Sequence, residues 1–164
     1  MAFLLSSTQR LNMNLELKVI PPVQLVISAA CMYGLSNLLP NYHFEWSMGL
    51  PVITLLLIVA SIIGILALYD FRKHKTTFHP HTPEKSSTIV NTGVYAYSRN
   101  PMYIALVLAL VAFAIYLQNY SCFAVIPLFI WYITRFQIIP EERILNRLFP
   151  DDFHAYRQKV RRWI

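Results

Sequence analysis

Residues 100–134 read NPMYIALVLALVAFAIYLQNYSCFAVIPLFIWYIT, bounded by Arg99 and Arg135 and free of Asp, Glu, Lys and Arg. One helix needs about 20 mostly apolar residues to cross a hydrocarbon core ~30 Å thick, so this stretch is too long for a single crossing. Its polar break, Gln118-Asn119-Tyr120-Ser121, divides it into a tight hairpin of two rather short helices. Asn100 is a favoured N-cap and Pro101 a favoured first helical residue, so the hairpin is expected to start there.

Working outward, Ile20–Leu39 and Leu50–Tyr69 are also uncharged, and each fits one crossing. The expected fold is all-α, an integral membrane protein with four transmembrane helices plus cytoplasmic-face interfacial helices. It forms one membrane-embedded domain over residues 1–164, with two spans in 1–69 and a loop, the hairpin and C-terminal helices in 70–164. Composition agrees, with 56% hydrophobic and 13% charged residues against about 25% charged in soluble domains. That excludes disorder, a collagen-like chain, a disulfide scaffold and an ordinary cytosolic domain.

All 14 Lys and Arg residues lie before the first span, between the second and third, or after the fourth. The loops Asn41–Trp46 and Gln118–Ser121 carry none, so the positive-inside rule puts both termini in the cytoplasm. The net charge of +6 is then explained by topology and anionic lipid headgroups, and no nucleic-acid partner is expected. Met1–Lys18 lacks the ordered regions of a signal peptide. Cys31 and Cys122 fall in spans and are expected to be small buried hydrophobes. Asn119-Tyr120-Ser121 matches a glycosylation sequon, read as chance because it sits in a tight turn.

Two cytoplasmic segments are too elaborate for simple loops. In the first, Arg99 stands at the start of the third span, where a helix N-terminus and a guanidinium can together hold a carboxylate; plain anchoring to lipid phosphates is the alternative. In the second, Glu141 and Glu142 follow Pro140, which can open a new helix or kink the old one. The two acids suit the first turn of a helix. They also suggest a polar site with Arg99 and Arg135, expected at the same depth. A last amphipathic helix is expected from Asp151 or Asp152 to the C-terminus, with Phe153, Tyr156, Val160 and Trp163 at helical spacing. His74, His79 and His81 lack the spacing and partners of a metal site, and no metal is expected.

The order Val90-Asn91-Thr92-Gly93-Val94-Tyr95, Ser98-Arg99-Asn100-Pro101-Met102-Tyr103, a hairpin, Glu141-Glu142-Arg143-Ile144-Leu145 and Tyr156-Arg157-Gln158-Lys159-Val160-Arg161-Arg162-Trp163 resembles the isoprenylcysteine carboxyl methyltransferase family. Phospholipid N-methyltransferases are related to it. The resemblance covers roughly residues 71–164. It implies an integral-membrane, S-adenosylmethionine-dependent methyltransferase without a Rossmann domain, releasing S-adenosylhomocysteine. It implies that Val90, Thr92, Gly93 and Tyr95 line the cofactor. Arg99, Asn100, Pro101 and Tyr103 match the family's Arg-His-Pro-x-Tyr signature, with Asn100 where the eukaryotic carboxyl methyltransferases have His. Glu141 and Glu142 match its acidic pair, and Tyr156 and Lys159 its C-terminal aromatic and basic residues, expected to bind substrate. The compact four-span form looks prokaryotic by the same resemblance, which implies a cytoplasmic-membrane location.

The roles implied are then concrete. Arg99 and Glu142 are the expected catalytic residues. Arg99 holds a carboxylate, and Glu141 or Glu142 pairs with the cofactor's ammonium or accepts a proton. Tyr95 and Tyr103 can face the sulfonium. The partners expected are membrane lipids and a small or lipophilic methyl acceptor: carboxylate, amine, thiol or phospholipid headgroup. Two rivals remain open: a small four-span transporter or scaffold, which predicts a polar mid-membrane path, and a membrane reductase, which needs room for a nicotinamide cofactor.

Overall fold

In the computed structural model, residues 16–17, 19–73 and 89–164 are described. Among them the regular elements are all helical. Pro21 and Pro22 start α1 (Pro21–Leu38), where their missing N–H groups cost nothing because a helix's first donors have no partners anyway. A 3₁₀ turn, Pro40–Tyr42, follows, and then α2 (Gly49–Lys73) closes on Arg72 and Lys73. A 3₁₀ turn at Gly93–Ala96 leads into α3 (Pro101–Leu117). Beyond the hairpin turn come α4 (Val125–Ile133), a π turn (Thr134–Ile138), α5 (Ile139–Leu148) and α6 (Pro150–Lys159).

Among the described residues, two helical stretches are long and apolar enough to cross a membrane. They are α2 and the continuous run Tyr120–Leu148, which includes α4, the π turn and α5. α3 is apolar but shorter, at 17 residues. α2 packs on α3 through small residues: Ala60 and Ala67 are buried, and a Cβ placed on Gly64 would sit 3.8 Å from that of Ala105. Small side chains let two backbones approach closely, which is how helices gain contact in lipid. The main core joins α1, α3 and α4 through Met32, Leu110, Cys122, Phe129 and Ile133.

The hairpin turn falls on the polar break. Gln118 takes a left-handed conformation (φ 49°) that ends α3. Asn119, 1% exposed, accepts from the Ser121 amide at 2.9 Å and its hydroxyl at 2.6 Å, and donates to the Leu39 carbonyl at 2.9 Å. Its amide is therefore a structural tie between the turn and the end of α1, closed to a glycan.

Two expectations need correction. Cys31 is exposed, because α1 turns that face away from the core; Cys122 is buried, its thiol donating to the Met32 carbonyl at 3.3 Å. The last helix stops at Lys159, and Val160 is extended. Leaving the helix frees the Arg161 and Arg162 carbonyls to accept hydrogen bonds from the start of α3. Pro140 stands at the start of α5, one of the two roles open to it, and the chain stays helical past Arg135 to Leu148. A proline inside a helix lacks a donor and crowds the carbonyl four residues earlier, and the wider π turn immediately before Pro140 relieves both. His74, His79 and His81 lie outside the described residues, as do residues 1–15 and Lys18. Among the described residues no group of three or more His, Cys, Asp or Glu is placed to hold a metal.

Candidate active site

The segment before α3 is fastened to α2 by a hydrogen bond at Asp70 and by packing on Ala67 and Phe71. Gly93 has φ +59°, a left-handed conformation that suits glycine because it has no Cβ. The Asp70 carboxylate accepts the Val94 amide at 3.2 Å, and a Cβ on Gly93 would collide with that carboxylate. Tyr95 is buried against the edge of Phe71, ring centroids 5.2 Å apart, and its carbonyl accepts the Tyr156 hydroxyl at 2.7 Å. Burial pushes both phenols well above their ordinary pKa, with mutual repulsion adding for Tyr95, so both stay protonated donors.

Next along the chain, Ser98 and Asn100 bind the C-terminal strap. The Asn100 amide donates to the Arg162 carbonyl at 2.8 Å, the Ser98 hydroxyl to the same carbonyl at 3.4 Å, and the Arg99 backbone N–H to the Arg161 carbonyl at 3.0 Å. Asn100 thus precedes the helix as expected but spends its side chain on the strap, making no capping bond.

The charged centre forms where the strap, α3 and α5 meet. Glu142, its side chain 13% exposed, takes Arg162 in a two-pronged pair at 3.1 and 2.7 Å, and Arg99 at 3.1 Å. Arg99 is 10% exposed and lies 5.9 Å from the centre of the Phe153 ring. Its Nε and Nη1 are buried without a hydrogen-bond partner. Burial lowers the Arg99 pKa, with Glu142 opposing, whereas hydrogen bonding to Glu142 raises that of Arg162. Two guanidiniums around one carboxylate leave an excess positive charge with two unused N–H donors, an arrangement suited to an anion. Glu141, half-buried, points elsewhere and accepts the Tyr103 hydroxyl at 2.7 Å.

A separate cleft of about 580 Å³ opens between residues 89–96 and α6, lined by Asn91, Ala96, Asp152, Tyr156 and Lys159. The expected residues therefore form two groups. Arg99, Asn100 and Glu142 gather with Arg162 at the charged centre, Tyr103 and Glu141 pairing with each other, while Tyr156 and Lys159 line the cleft and Tyr156 donates to the Tyr95 carbonyl. Val90 is packed in a small core with Ala67 and Tyr95, Pro101 is buried, and Thr92 is exposed beside Gly93. Arg135 does not join the acidic pair; it bonds Glu16 at 2.8 Å, which also takes Arg143 at 3.2 Å. Arg162, Ser98 and Asp70 were not singled out from the sequence. Arg162 was hidden inside the apparent amphipathic helix, and Asp70 looked like a span terminus.

The sequence profile described as phospholipid methyltransferase matches residues 50–152. An uncharacterized protein of Haemophilus influenzae is 41% identical over 63 residues, which are 38% of this chain and the whole of that one. No solved structure matches the chain.

Proposed function

The chain belongs to the phospholipid methyltransferase family, and from that premise we propose that it is an integral-membrane, S-adenosylmethionine-dependent methyltransferase with four spans, acting at the cytoplasmic face on a small or lipophilic acceptor. The observation that carries the reading is Arg99, a buried guanidinium with two unpaired donors beside Glu142. Leaving buried charged donors unpaired costs more than the ~1–3 kcal/mol of a neutral group, and an amino-acid carboxylate would give one of these donors a charge-assisted acceptor. The residues therefore fit the cofactor's amino-acid end.

When bound, S-adenosylmethionine supplies an electrophilic methyl carbon on a positively charged sulfur. The chain's residues hold, orient and shield. Arg99 grips the carboxylate, and Glu142 sets the guanidinium's position while offering a counter-charge to the ammonium. Tyr95, buried and held by Phe71 and Tyr156, presents an aromatic wall that favours a cation. Glu141, free of arginine, is the carboxylate left to take a proton from an amine or thiol acceptor, with the Tyr103 hydroxyl steadying it. Burial of these groups would exclude water and limit the orientations open to a bound acceptor, the positioning by which such a site lowers a barrier.

Calorimetric titration of S-adenosylhomocysteine into detergent-purified protein tests the reading. Saturable binding that is lost in Arg99→Ala supports it. Folded protein that binds no S-adenosylhomocysteine, or binds it equally well without Arg99, overturns it.

A further inference from the structure

The π turn Thr134–Ile138 leads directly into α5, the helix that carries Glu141 and Glu142. Single π turns inside α-helices are frequent at functional sites. Such a turn holds one extra residue, so everything beyond it is rotated by about 100° from its place in a regular helix. In this rotated register Glu141 meets Tyr103 and Glu142 meets Arg99. A return to the regular register would swing both carboxylates away from those partners.

The turn is gripped by the segment before α1. Pro140 has no N–H for the carbonyl four residues before it, that of Phe136, and the Leu17 amide donates to that carbonyl at 3.1 Å. Leu17 does so from a left-handed backbone (φ 59°), which a non-glycine residue keeps only where its surroundings compensate. The Val19 carbonyl accepts the Gln137 amide, and Gln24 of α1 donates to the same carbonyl at 2.9 Å. Phe136, Gln137 and Ile138 are consecutive and all buried, more of the helix circumference than one packed face covers. Glu16, its side chain 13% exposed, spans the turn. One oxygen takes Arg135 within it at 2.8 Å, and the other takes Arg143 beyond it at 3.2 Å. Positions 135 and 143 lie about 12 Å apart along a regular helix, so one carboxylate staples the two sides of the turn together. The junction also keeps buried oxygens of Gln24, Thr134 and Gln137 without a hydrogen-bond partner among the described residues. A joint serving stability alone would shed that cost.

We infer that Glu16, Leu17 and Val19 form a clamp that keeps the π turn wound, and that Glu16 is thereby a positioning residue for the charged centre. The inference rests on the methyltransferase reading and adds a remote determinant of cofactor affinity to it. The clamp acts through helix register. Molecules with the turn wound have Glu142 in place against Arg99 and can take the cofactor, so apparent affinity falls in proportion as the turn unwinds.

Glu16→Gln keeps the size of the side chain and removes its charge, and two measurements on detergent-purified protein read the result. In ligand-free protein, amide hydrogen exchange over residues 134–148 is expected to quicken about tenfold, the worth of one charge-assisted hydrogen bond, with α2 unchanged. Calorimetry is expected to show S-adenosylhomocysteine binding about tenfold more weakly, because both readings follow the same register equilibrium. Deleting Thr134 together with Pro140→Ala gives an unbroken α-helix that holds Glu141 and Glu142 in the same place unaided. In that background Glu16→Gln is expected to leave affinity unchanged. A loss that persists there means that Glu16 acts on the ligand by charge, and it overturns the inference. Unchanged exchange, or quickened exchange with unchanged affinity, in Glu16→Gln alone overturns it too, even where the second background fails to fold. Wild-type protein that binds no S-adenosylhomocysteine sinks the methyltransferase reading instead, while the exchange rates still show whether the clamp holds the turn.

Discussion

Arg99 holds one carboxylate with one nitrogen and keeps two others in reserve. A lysine there retains positive charge but not the fork, so Arg99→Lys is expected to weaken S-adenosylhomocysteine binding by about 10- to 100-fold, the worth of one charged hydrogen bond. Calorimetry on the folded variant measures it. Glu142→Gln removes the negative charge that Arg99 and Arg162 share and leaves two guanidiniums facing each other. Breaking a buried pair costs ~3–5 kcal/mol, and with Arg162 34% exposed the lower end is expected, read as a drop in the denaturation midpoint. The sequence made Arg99 and Glu142 legible through motif order, because each sits in a run of special residues. Arg162 was not legible, since nothing in Arg-Arg-Trp-Ile says that the helix has already ended and that the second arginine turns inward.

Among the elements, the 3₁₀ turn at Gly93–Ala96 carries Tyr95 and is tied to α2 through the Asp70 carboxylate and the Phe71 ring. Gly93→Ala meets two penalties, a left-handed backbone worth ~1–2 kcal/mol and collision with Asp70. A loss of at least about 2 kcal/mol is expected, and Asp70→Ala in the same chain should return part of it, a coupling that a double-mutant cycle reads directly. The hairpin was legible because Gln118 to Ser121 is the polar interruption in an otherwise apolar stretch. The π turn was not, because a register shift of one residue leaves no compositional mark; Pro140, read as opening a new helix or kinking the old one, begins α5 directly after that wider turn.

The whole molecule is tied at both ends of its helices. At one end, Asn119 binds the hairpin turn to Leu39, and the Phe44 amide donates to the Gln118 carbonyl at 2.9 Å. Asn119→Ala leaves the Leu39 carbonyl and the Ser121 hydroxyl without this partner and is expected to destabilise the fold by about 1–2 kcal/mol, seen as a lower thermal midpoint in detergent, with cofactor affinity little changed. At the other end, Glu16 joins the segment before α1 to Arg135 and Arg143, a contact across more than a hundred residues that no local pattern announces. Composition and charge segregation made an all-helical membrane protein readable at this scale. Which helices touch was not readable, because apolar spans look alike from every side until small residues such as Gly64 and Ala67 are placed against a partner.

The short extended strap after Lys159 gives its carbonyls to Arg99 and Asn100 and its guanidinium to Glu142. Its peptide bonds are thus guarded by the same groups that would grip a cofactor. Carboxypeptidase digestion becomes an occupancy gauge on this account. S-adenosylhomocysteine that tightens the cluster should slow the shaving of Arg162, and a chain trimmed back to Arg161 should stay inserted in the bilayer yet lose its hold on the ligand. Purification handles belong at the other end of the chain for the same reason.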